Sequence, residues 1–339
     1  MKISQAMALT RAYIAAGEPT FLWGKPGVGK SEGVQQIATE DGFAVKDVRA
    51  ILLDTVDLRG LPVPDGDFAK WLIPNFLPNE KRDGAKGLLF LDELNVAPPQ
   101  VQAACFGLVL ERRLGDYTLP AGWQIVAAGN KQSHGAAAQA MPTALGNRFA
   151  HIDVEPDPDD FCNWAAGAGV DPLVIGFIRY RPNLLHDMSG GNAEQPNKIA
   201  RDLREFPTPR TWAKVSNVLP HVPAELRLPA VQGLVGRGPA AEFCGFCDTF
   251  ANLMPPKQVL ANPEAAPTYD RPDQLFAMSS ALSRLVTRDT FGDGLRYMTR
   301  CDQPGFTASF VEEATKRDKT LITTSAYVTW ASANSHNLT

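Results

Sequence analysis

Short apolar runs recur along the first half of the chain, separated by stretches with helical periodicity. The clearest run is LLFL at 88–91, in which no polar residue alternates with the apolar ones. Such a run is typical of a strand that is buried on both faces, as in a parallel sheet covered by helices. Four further runs predict strands at Thr20–Trp23, Phe43–Arg49, Trp123–Ala128 and Phe149–Val154.

Between these runs the periodicity changes to that of helices. Lys30–Glu40 and Pro98–Glu111 are predicted to be helical. The apolar face of the second helix carries Val101, Ala104, Cys105, Leu108 and Val109. Alternating strands and helices predict an α/β fold with a five-stranded parallel sheet, whose ligands bind at the carboxyl ends of the strands.

Composition narrows the class of protein. The chain has 339 residues, 44% hydrophobic and 21% charged, which is typical of a soluble globular protein of about two domains. No apolar run approaches the roughly 20 residues of a membrane span. The first twenty residues predict a short amphipathic helix rather than a secretory signal, so we expect a cytoplasmic protein without a membrane span. A net charge of −4 without a basic block argues weakly against a protein built chiefly to hold nucleic acid.

The first strand and the following helix are joined by GKPGVGKS, which matches the phosphate-loop pattern G-x-x-x-x-G-K-[ST]. Glycines let the backbone curl so that its N–H groups face a phosphate. Lys30 is predicted to reach the outer phosphates, the Ser31 hydroxyl to ligate Mg²⁺, and the start of the helix to attract the anion. The predicted nucleotide-binding residues of this loop are Gly24, Pro26, Gly27, Val28, Gly29, Lys30 and Ser31.

Two adjacent carboxylates, Asp92 and Glu93, follow the run at 88–91. Charge at the end of a buried strand costs several kcal/mol, roughly, unless a cation compensates it. The phosphate loop and its metal ion supply that cation. We therefore expect Asp92 to hold the Mg²⁺ coordination shell opposite Ser31, through water, and Glu93 to orient and polarise the attacking water.

Three polar residues further along are candidates for the same chemistry. Asn130 follows the fourth strand and is interpreted as a hydrogen-bond partner of the attacking water or the terminal phosphate. An isolated asparagine at the end of a strand is more often a turn residue. Arg148 precedes the fifth strand, far from its own phosphate loop, and is predicted to be an arginine finger for a neighbouring subunit; a surface ion pair is the alternative. Arg210 lies in the first turn of a helix that Thr208 can cap, from which it could reach the terminal phosphate.

With these residues the sequence resembles an AAA+ ATPase, and more narrowly the MoxR family, in the clade with an insertion in the second helix. The resemblance covers about residues 15–255 and rests on GKPGVGKS, LFLDELN, AAGN, LGNRF and the TPR helix start. It implies that Lys30, Ser31 and Asp92 bind ATP and Mg²⁺ and that Glu93 is the catalytic carboxylate. It further implies that Asn130 is sensor one and Arg210 is sensor two. Arg148 would act in trans within a homo-oligomeric ring, by resemblance a hexamer, although Asn147 stands where relatives often carry an acidic residue.

The resemblance also implies a domain plan, in which an AAA+ core spans 1–155 with an insert at about 51–78 and a helical lid spans 156–255. Residues 256–339 lie beyond the resemblance and carry no motif; their helical pattern predicts a C-terminal extension of the lid that could carry a partner surface. A hairpin is predicted in the insert with its turn at PDGD, and a second hairpin in RRLGDYTLPAGW. The Pro-rich stretch MPPKQVLANPEAAPTYDRP is predicted to be a linker.

The chain has five cysteines, of which Cys244 and Cys247 form an isolated CGFC. A zinc site needs four ligands, and no second pair or His doublet is nearby. The pair is interpreted as two small apolar residues on a helix, with a redox pair as the alternative.

Three functions remain compatible with these features. The first is a MoxR-like ring ATPase that remodels a client protein or helps insert its cofactor, acting with a partner that contains a von Willebrand factor A domain. The second is a nucleic-acid-associated AAA+ motor of a restriction or phage system, and the third is a scaffold that binds nucleotide without hydrolysing it. The complete set of predicted catalytic residues argues against the third, and the acidic net charge argues modestly against the second.

Overall fold

The computed structural model describes residues 1–131, 141–189 and 204–334, apart from the side chain of Thr55. It divides into two units, Met1–Pro156 and Asp157–Thr339. In the first unit the strands are β1 (Thr20–Gly24), β2 (Ala44–Arg49), β3 (Leu61–Asp65), β4 (Phe68–Leu72), β5 (Gly87–Asp92), β6 (Arg113–Leu114), β7 (Tyr117–Thr118), β8 (Trp123–Gly129) and β9 (Ala150–Val154). Its helices are α1 (Ile3–Ala16), α2 (Lys30–Asp41), α3 (Thr55–Arg59), α4 (Glu80–Asp83), α5 (Pro99–Glu111) and α6 (Thr143–Gly146).

The main sheet has five strands in the order β2-β5-β8-β1-β9. All neighbouring pairs are parallel, with Thr20 aligned with both Val126 and Ala150. The five strands predicted from the apolar runs are therefore confirmed, each to within about one residue at either end. Because the strands are parallel, the segments that follow β1, β5 and β8 meet at one edge of the sheet.

Side chains of β5 alternate between two apolar cores. Leu88 and Phe90 belong to the core on the side of α1 and α2, whereas Leu89 and Leu91 belong to the core on the side of α5. All four are at most 3% exposed. The strand is thus buried on both faces, as its uninterrupted apolar run predicts.

The predicted hairpins are both present. β3 and β4 pair antiparallel, with Asp65 opposite Phe68 and the turn at Gly66 and Asp67. β6 and β7 form the second hairpin, with the turn at Gly115 and Asp116. In the first hairpin, Trp71, Leu72 and Ile73 are 36–49% exposed and Phe68 is 81% exposed. The apolar residues just beyond it differ, because Leu77 is buried and Phe76 packs against the α5-side core.

All the regular secondary structure described in the second unit is helical. Its helices are α7 (Pro158–Ala168), α8 (Pro172–Tyr180), α9 (Pro209–Val218), α10 (Arg227–Val235), α11 (Arg237–Ala251), α12 (Pro256–Ala261), α13 (Pro272–Leu285), α14 (Phe291–Arg300), α15 (Pro304–Arg317) and α16 (Ser325–Ala333). Among the described residues, no helix of either unit is long and apolar enough to cross a membrane.

A single apolar core runs through the second unit. It contains Phe177 and Phe243 as well as Phe310 and Trp330. The stretch predicted to be a linker differs from that expectation, because it includes α12 and its Val259 and Ala266 are buried in the same core. Proline here starts a helix, at a position where the missing N–H costs nothing, rather than keeping the chain extended.

A buried ion pair joins α8 to α15 within the second unit. Nη1 of Arg179 on α8 lies 3.0 Å from Oε1 of Glu313 on α15, and the two side chains are 11% and 3% exposed. The hydroxyls of Ser280 and Ser283 on α13 donate to the two oxygens of Glu313, at 3.1 and 2.6 Å. The carboxylate is thus satisfied by a cation and two hydroxyls, as a charge needs when it leaves water.

Candidate active site

The loop between β1 and α2 turns sharply at two glycines. Gly27 and Gly29 have φ of 75° and 101°, values that residues with a Cβ rarely adopt. Gly24 is required for a different reason, since a Cβ there would lie 2.8 Å from the carbonyl oxygen of Val154 on β9. Val28 is 5% exposed and anchors the loop in the core on the α1 and α2 side. The loop leads directly into α2, whose first residue is Lys30.

The ammonium of Lys30 is held at the centre of this loop. It donates to the carbonyl oxygens of Gly24 and Lys25 at 2.7 and 3.2 Å, and to Oδ1 of Asn130 at 2.9 Å. Lys30 as a whole is only 8% exposed. The predicted phosphate-binding lysine and the polar residue after the fourth strand therefore lie in contact.

Ser31 and Asp92 form a second contact at the same edge. The hydroxyl of Ser31 donates to Oδ2 of Asp92 at 3.1 Å, and Oδ1 of Asp92 accepts from the backbone N–H of Glu93 at 2.9 Å. Both oxygens have the hard chemistry that Mg²⁺ prefers and lie together beside the phosphate loop, so the residues present fit an ion bound by Ser31 directly and by Asp92 through water.

Glu93 has an unusual backbone conformation. Its φ and ψ are 57° and 31°, in the left-handed region, which costs a residue with a Cβ about 1–2 kcal/mol. The chain uses this conformation to turn from β5 into a short 3-10 segment, Leu94–Val96. Strain of this kind is concentrated at functional sites. Glu93 is half-buried beside Asp92, where the predicted water-orienting carboxylate should lie.

The carboxylate of Asp92 is felt by a neighbouring acid on β2. Desolvation and the carboxylate of Asp92 raise the pKa of Asp47 on β2 above its ordinary value, and Arg49 opposes that shift. A like charge nearby and removal from water both disfavour the ionised form of a carboxyl group. Arg49 is aligned with Asp92 across the pair β2–β5. A bound cation would relieve this repulsion.

Asn95 is a site residue that the sequence analysis did not single out. It is 2% exposed, and its Nδ2 donates to the backbone carbonyl of Asn130 at 2.7 Å. The signals that could have found it are its position two residues after Glu93 and the glycine before Asn130, Gly129. A Cβ on Gly129 would lie 2.1 Å from Oδ1 of Asn95. Only glycine at position 129 therefore leaves room for the side chain of Asn95.

A cavity of about 330 Å³ adjoins the start of the phosphate loop. It is lined by Trp23, Gly24, Lys25, Lys131, Asp153, Val154, Glu155 and Pro156. Lys131 and Asp153 form an ion pair across it, at 2.7 Å. The indole N–H of Trp23 donates to Nδ1 of His151 at 2.8 Å, which fixes the aromatic wall of this cavity.

Arg148 does not belong to the phosphate site of its own chain. It lies just before β9, at the edge of the sheet where the parallel strands begin, whereas the phosphate loop follows the end of β1. Five residues of strand, roughly 15 Å, separate the two edges. Arg148 is exposed, and its guanidinium carbon lies 5.9 Å from the ring centroid of Phe106.

Arg210 belongs to the second unit. It is exposed in the first turn of α9, and Thr208 caps this helix by accepting from the N–H of Thr211 at 3.1 Å. The Oγ1 of Thr211 in turn accepts from the N–H of Thr208 at 2.7 Å. The predicted cap is confirmed, and contact of Arg210 with a phosphate stays a prediction.

Cys244 and Cys247 lie on α11 and are free thiols. Burial raises the pKa of Cys247 to about 12 and also raises the pKa of Cys244. A thiol with such a pKa is protonated and inert at neutral pH, unlike the thiolate of a redox pair. Within the described ranges, no group of three or more His, Cys, Asp and Glu could hold a metal ion.

In sequence, no protein-family model matches the chain, and no curated protein is a detectable relative. In structure, the chain is similar to a mutant of Thermotoga maritima RuvB, with a TM-score of 0.39 and 14% identity over 88% of this chain and 86% of that one. It is also similar to an ATPase, so described, from Cytophaga hutchinsonii, with a TM-score of 0.36 and 14% identity over 92% and 80%. A third similar structure is Brucella abortus NtrX in complex with ADP, with a TM-score of 0.40 and 15% identity over 94% and 68%. At these TM-scores the similarity says nothing about function.

The chain's own topology establishes the fold. A phosphate loop follows β1, paired carboxylates end β5, Asn130 follows β8, and the five parallel strands lie in the order β2-β5-β8-β1-β9. The predicted fold class is confirmed: an α/β fold of the AAA+ P-loop NTPase type with a helical C-terminal part.

Proposed function

We propose that the protein is an AAA+ ATPase, which hydrolyses ATP to ADP and phosphate with Mg²⁺ at the site between the phosphate loop and Asp92. The observation that carries this proposal is the convergence of two contacts at one edge of the sheet. Lys30 meets Asn130 at 2.9 Å, and Ser31 meets Asp92 at 3.1 Å. A cation, a hydroxyl and a carboxylate thereby surround the place where the loop would hold the phosphates.

Each side chain then has one task. The N–H groups of the loop and the ammonium of Lys30 bind the phosphate oxygens, and Ser31 and Asp92 hold the metal shell. Bound Mg²⁺ would neutralise charge that develops on the phosphate oxygens. Glu93 orients a water for attack on the terminal phosphorus, while the bond from that phosphorus to the bridging oxygen breaks and ADP leaves. Asn130 fixes the water or the terminal phosphate through its amide.

Two substitutions test this proposal. Lys30→Ala removes the ammonium directed at the phosphates and should abolish ATP binding. Glu93→Gln keeps the size of the side chain but replaces the carboxylate with an amide, so it should bind ATP and lose turnover. Binding is measured with a fluorescent ATP analogue and turnover by phosphate release. Hydrolysis by Glu93→Gln at the wild-type rate would refute the catalytic assignment.

We further propose that the ATPase is of the MoxR type and works as a ring, by resemblance a hexamer. Support comes from Arg148, which is exposed at the edge of the sheet opposite its own phosphate loop and so is available to a neighbouring subunit. In this assembly Arg148 would complete the neighbour's site, and Arg210 would approach the terminal phosphate from the lid.

The proposed role of the ring is to remodel a client protein or to help insert its cofactor, together with a partner that contains a von Willebrand factor A domain. Proteins retained by Glu93→Gln, which should stall with ATP bound, identify the client and the partner. Stimulation of the ATPase by such a partner supports this role. Stimulation by DNA or RNA instead would favour the nucleic-acid motor.

A further inference from the structure

We propose that Asn95 is a positioning residue for ATP hydrolysis, which holds the loop of Asn130 in register with the turn that carries Glu93. This inference rests on the proposed ATPase function. It assigns a role to a side chain that is not expected to touch nucleotide or metal.

The contact joins the two segments that follow neighbouring strands. Asn95 lies in the 3-10 segment directly after Glu93, which follows β5, and Asn130 directly follows β8. The amide nitrogen of Asn95 donates to the backbone carbonyl of Asn130 at 2.7 Å. The side chain of Asn130 accepts from Lys30 at 2.9 Å. A continuous path of hydrogen bonds and two peptide units therefore runs from the phosphate-binding ammonium to Glu93.

The surroundings of Asn95 are adapted to this contact. Its side chain presses against β8 so closely that a Cβ on Gly129 would meet Oδ1 of Asn95 at 2.1 Å and Cζ of Phe21 at 3.0 Å. Oδ1 of Asn95 is buried and has no hydrogen-bond partner among the described residues. The amide thus uses its donor on the carbonyl of Asn130 while its acceptor stays unpaired, so the contact with Asn130 is what this polar side chain provides here.

Hydrolysis depends on the distance between the water held by Glu93 and the phosphate contacted by Asn130. A misplacement of about 1 Å can reduce the rate by about 100-fold without a change in chemistry. Loss of the amide of Asn95 would let the two segments move relative to each other. Nucleotide binding should be less affected, because the phosphate loop and Lys30 are held by their own contacts with Gly24 and Lys25.

Gln102 on α5 provides a matched control. It is 1% exposed, its Nε2 donates to the backbone carbonyl of Ala97 at 2.9 Å, and its Oε1 also lacks a hydrogen-bond partner among the described residues. It lies on α5, which packs into the apolar core that also contains Leu94 and Ala97 on either side of Asn95. Gln102 is therefore a buried amide like Asn95, but its hydrogen bond within the described part of the chain goes to Ala97 and not to Asn130 or Lys30.

The experiment compares the dissociation constant for ATP, kcat and the melting temperature of the full-length wild type, Asn95→Ala, Asn95→Asp and Gln102→Ala. Aspartate has nearly the shape of asparagine but, when ionised, cannot donate to the carbonyl of Asn130. We expect both Asn95 variants to lower kcat by about 10- to 100-fold and to change the dissociation constant by less than about threefold. Gln102→Ala should retain kcat within about threefold.

Equal losses of kcat in Gln102→Ala and Asn95→Ala would show a general effect of core damage and overturn the inference. So would wild-type kcat in either Asn95 variant. If Asn95→Ala does not fold, Asn95→Asp decides the question, and failure of both to fold would assign Asn95 to stability and likewise overturn it. A wild type that binds but does not hydrolyse ATP would instead refute the proposed function, and with it this inference.

Discussion

The ammonium of Lys30 donates a hydrogen bond of 2.9 Å to Oδ1 of Asn130, although 100 residues separate them in the sequence. β1 and β8 are neighbours in the sheet, with Trp23 aligned with Gly129, so the residues that follow the two strands meet. An anion in the phosphate loop would compete with Asn130 for this ammonium. In the proposed ATPase, the contact would therefore couple occupation of the loop to the orientation of the Asn130 amide.

This coupling predicts the behaviour of Asn130→Ala. Lys30 loses one acceptor and remains directed at the phosphates, so the dissociation constant for ATP should not increase. Without an amide to fix the water or the terminal phosphate, kcat should fall by about 10- to 100-fold. Equilibrium binding and single-turnover hydrolysis measure the two effects separately. A loss of binding equal to the loss of turnover would instead place Asn130 among the residues that hold the ground state.

The left-handed conformation of Glu93 predicts opposite effects on stability and activity. Glu93→Gly should relieve strain and, after the cost of a more flexible unfolded chain, increase the free energy of unfolding by up to about 1 kcal/mol. Turnover should be lost, because the carboxylate is absent. Asp302→Gly is the control, since Asp302 also has a positive φ, 54°, but lies in the second unit. It should stabilise without loss of turnover; denaturant unfolding and phosphate release test both.

The position of Arg148 predicts complementation between two inactive proteins. Arg148→Ala should bind ATP and assemble but fail to hydrolyse, and Lys30→Ala should have an intact arginine but no ATP. In a mixed ring, some interfaces pair an intact phosphate loop with an intact Arg148. Mixing should therefore restore part of the ATPase activity, measured after subunit exchange. No recovery in rings proven to be mixed would mean that Arg148 does not act across subunits.

The exposed first hairpin predicts a loss of coupling when its tip is changed. Replacing residues 64–68 with a short Gly-Ser turn removes Phe68, which is 81% exposed, and leaves the buried Leu77 in place. Folding and basal ATPase activity should be nearly unchanged, while stimulation by the co-purified partner should be lost. The control is the double substitution Gly115→Asn and Asp116→Gly, which changes the turn of the second hairpin and should leave stimulation by the partner intact. Full stimulation of the shortened protein would rule out the first hairpin as the coupling element.

The buried ion pair predicts a large effect on stability. Glu313→Ala leaves the guanidinium of Arg179 without its carboxylate in a site where only 11% of the side chain is exposed. The free energy of unfolding should fall by about 3–5 kcal/mol. Glu312→Ala is the control, because Glu312 pairs with Lys316 on the surface and such pairs contribute about 0.5 kcal/mol. Chemical denaturation of both variants measures the difference, and similar losses would contradict the assignment.

Local patterns predicted much of the first unit. The apolar run at 88–91 lacks alternation, and this is sufficient to place β5 between two cores. The glycines of the phosphate loop predict its curled backbone, because Gly27 and Gly29 need positive φ. These features depend on neighbours in the sequence and on general rules for parallel sheets.

Features that depend on contacts between distant segments could not be predicted in this way. Asn95 has an ordinary polar side chain in sequence, and only its packing against Gly129 and Asn130 distinguishes it. The proline-rich stretch 254–272 has the composition of a linker. Its Val259 is nevertheless buried in an apolar core formed by helices that precede and follow this stretch in the sequence. Tertiary burial there outweighs the local preference for an extended chain.

The shared core of the second unit constrains how this region can be inherited. Because Glu313 neutralises a buried Arg179 more than a hundred positions earlier, gain or loss of the chain after residue 256 would change both the charge partner of Arg179 and the helices that cover it. Covariation of these two positions across genomes would record that history.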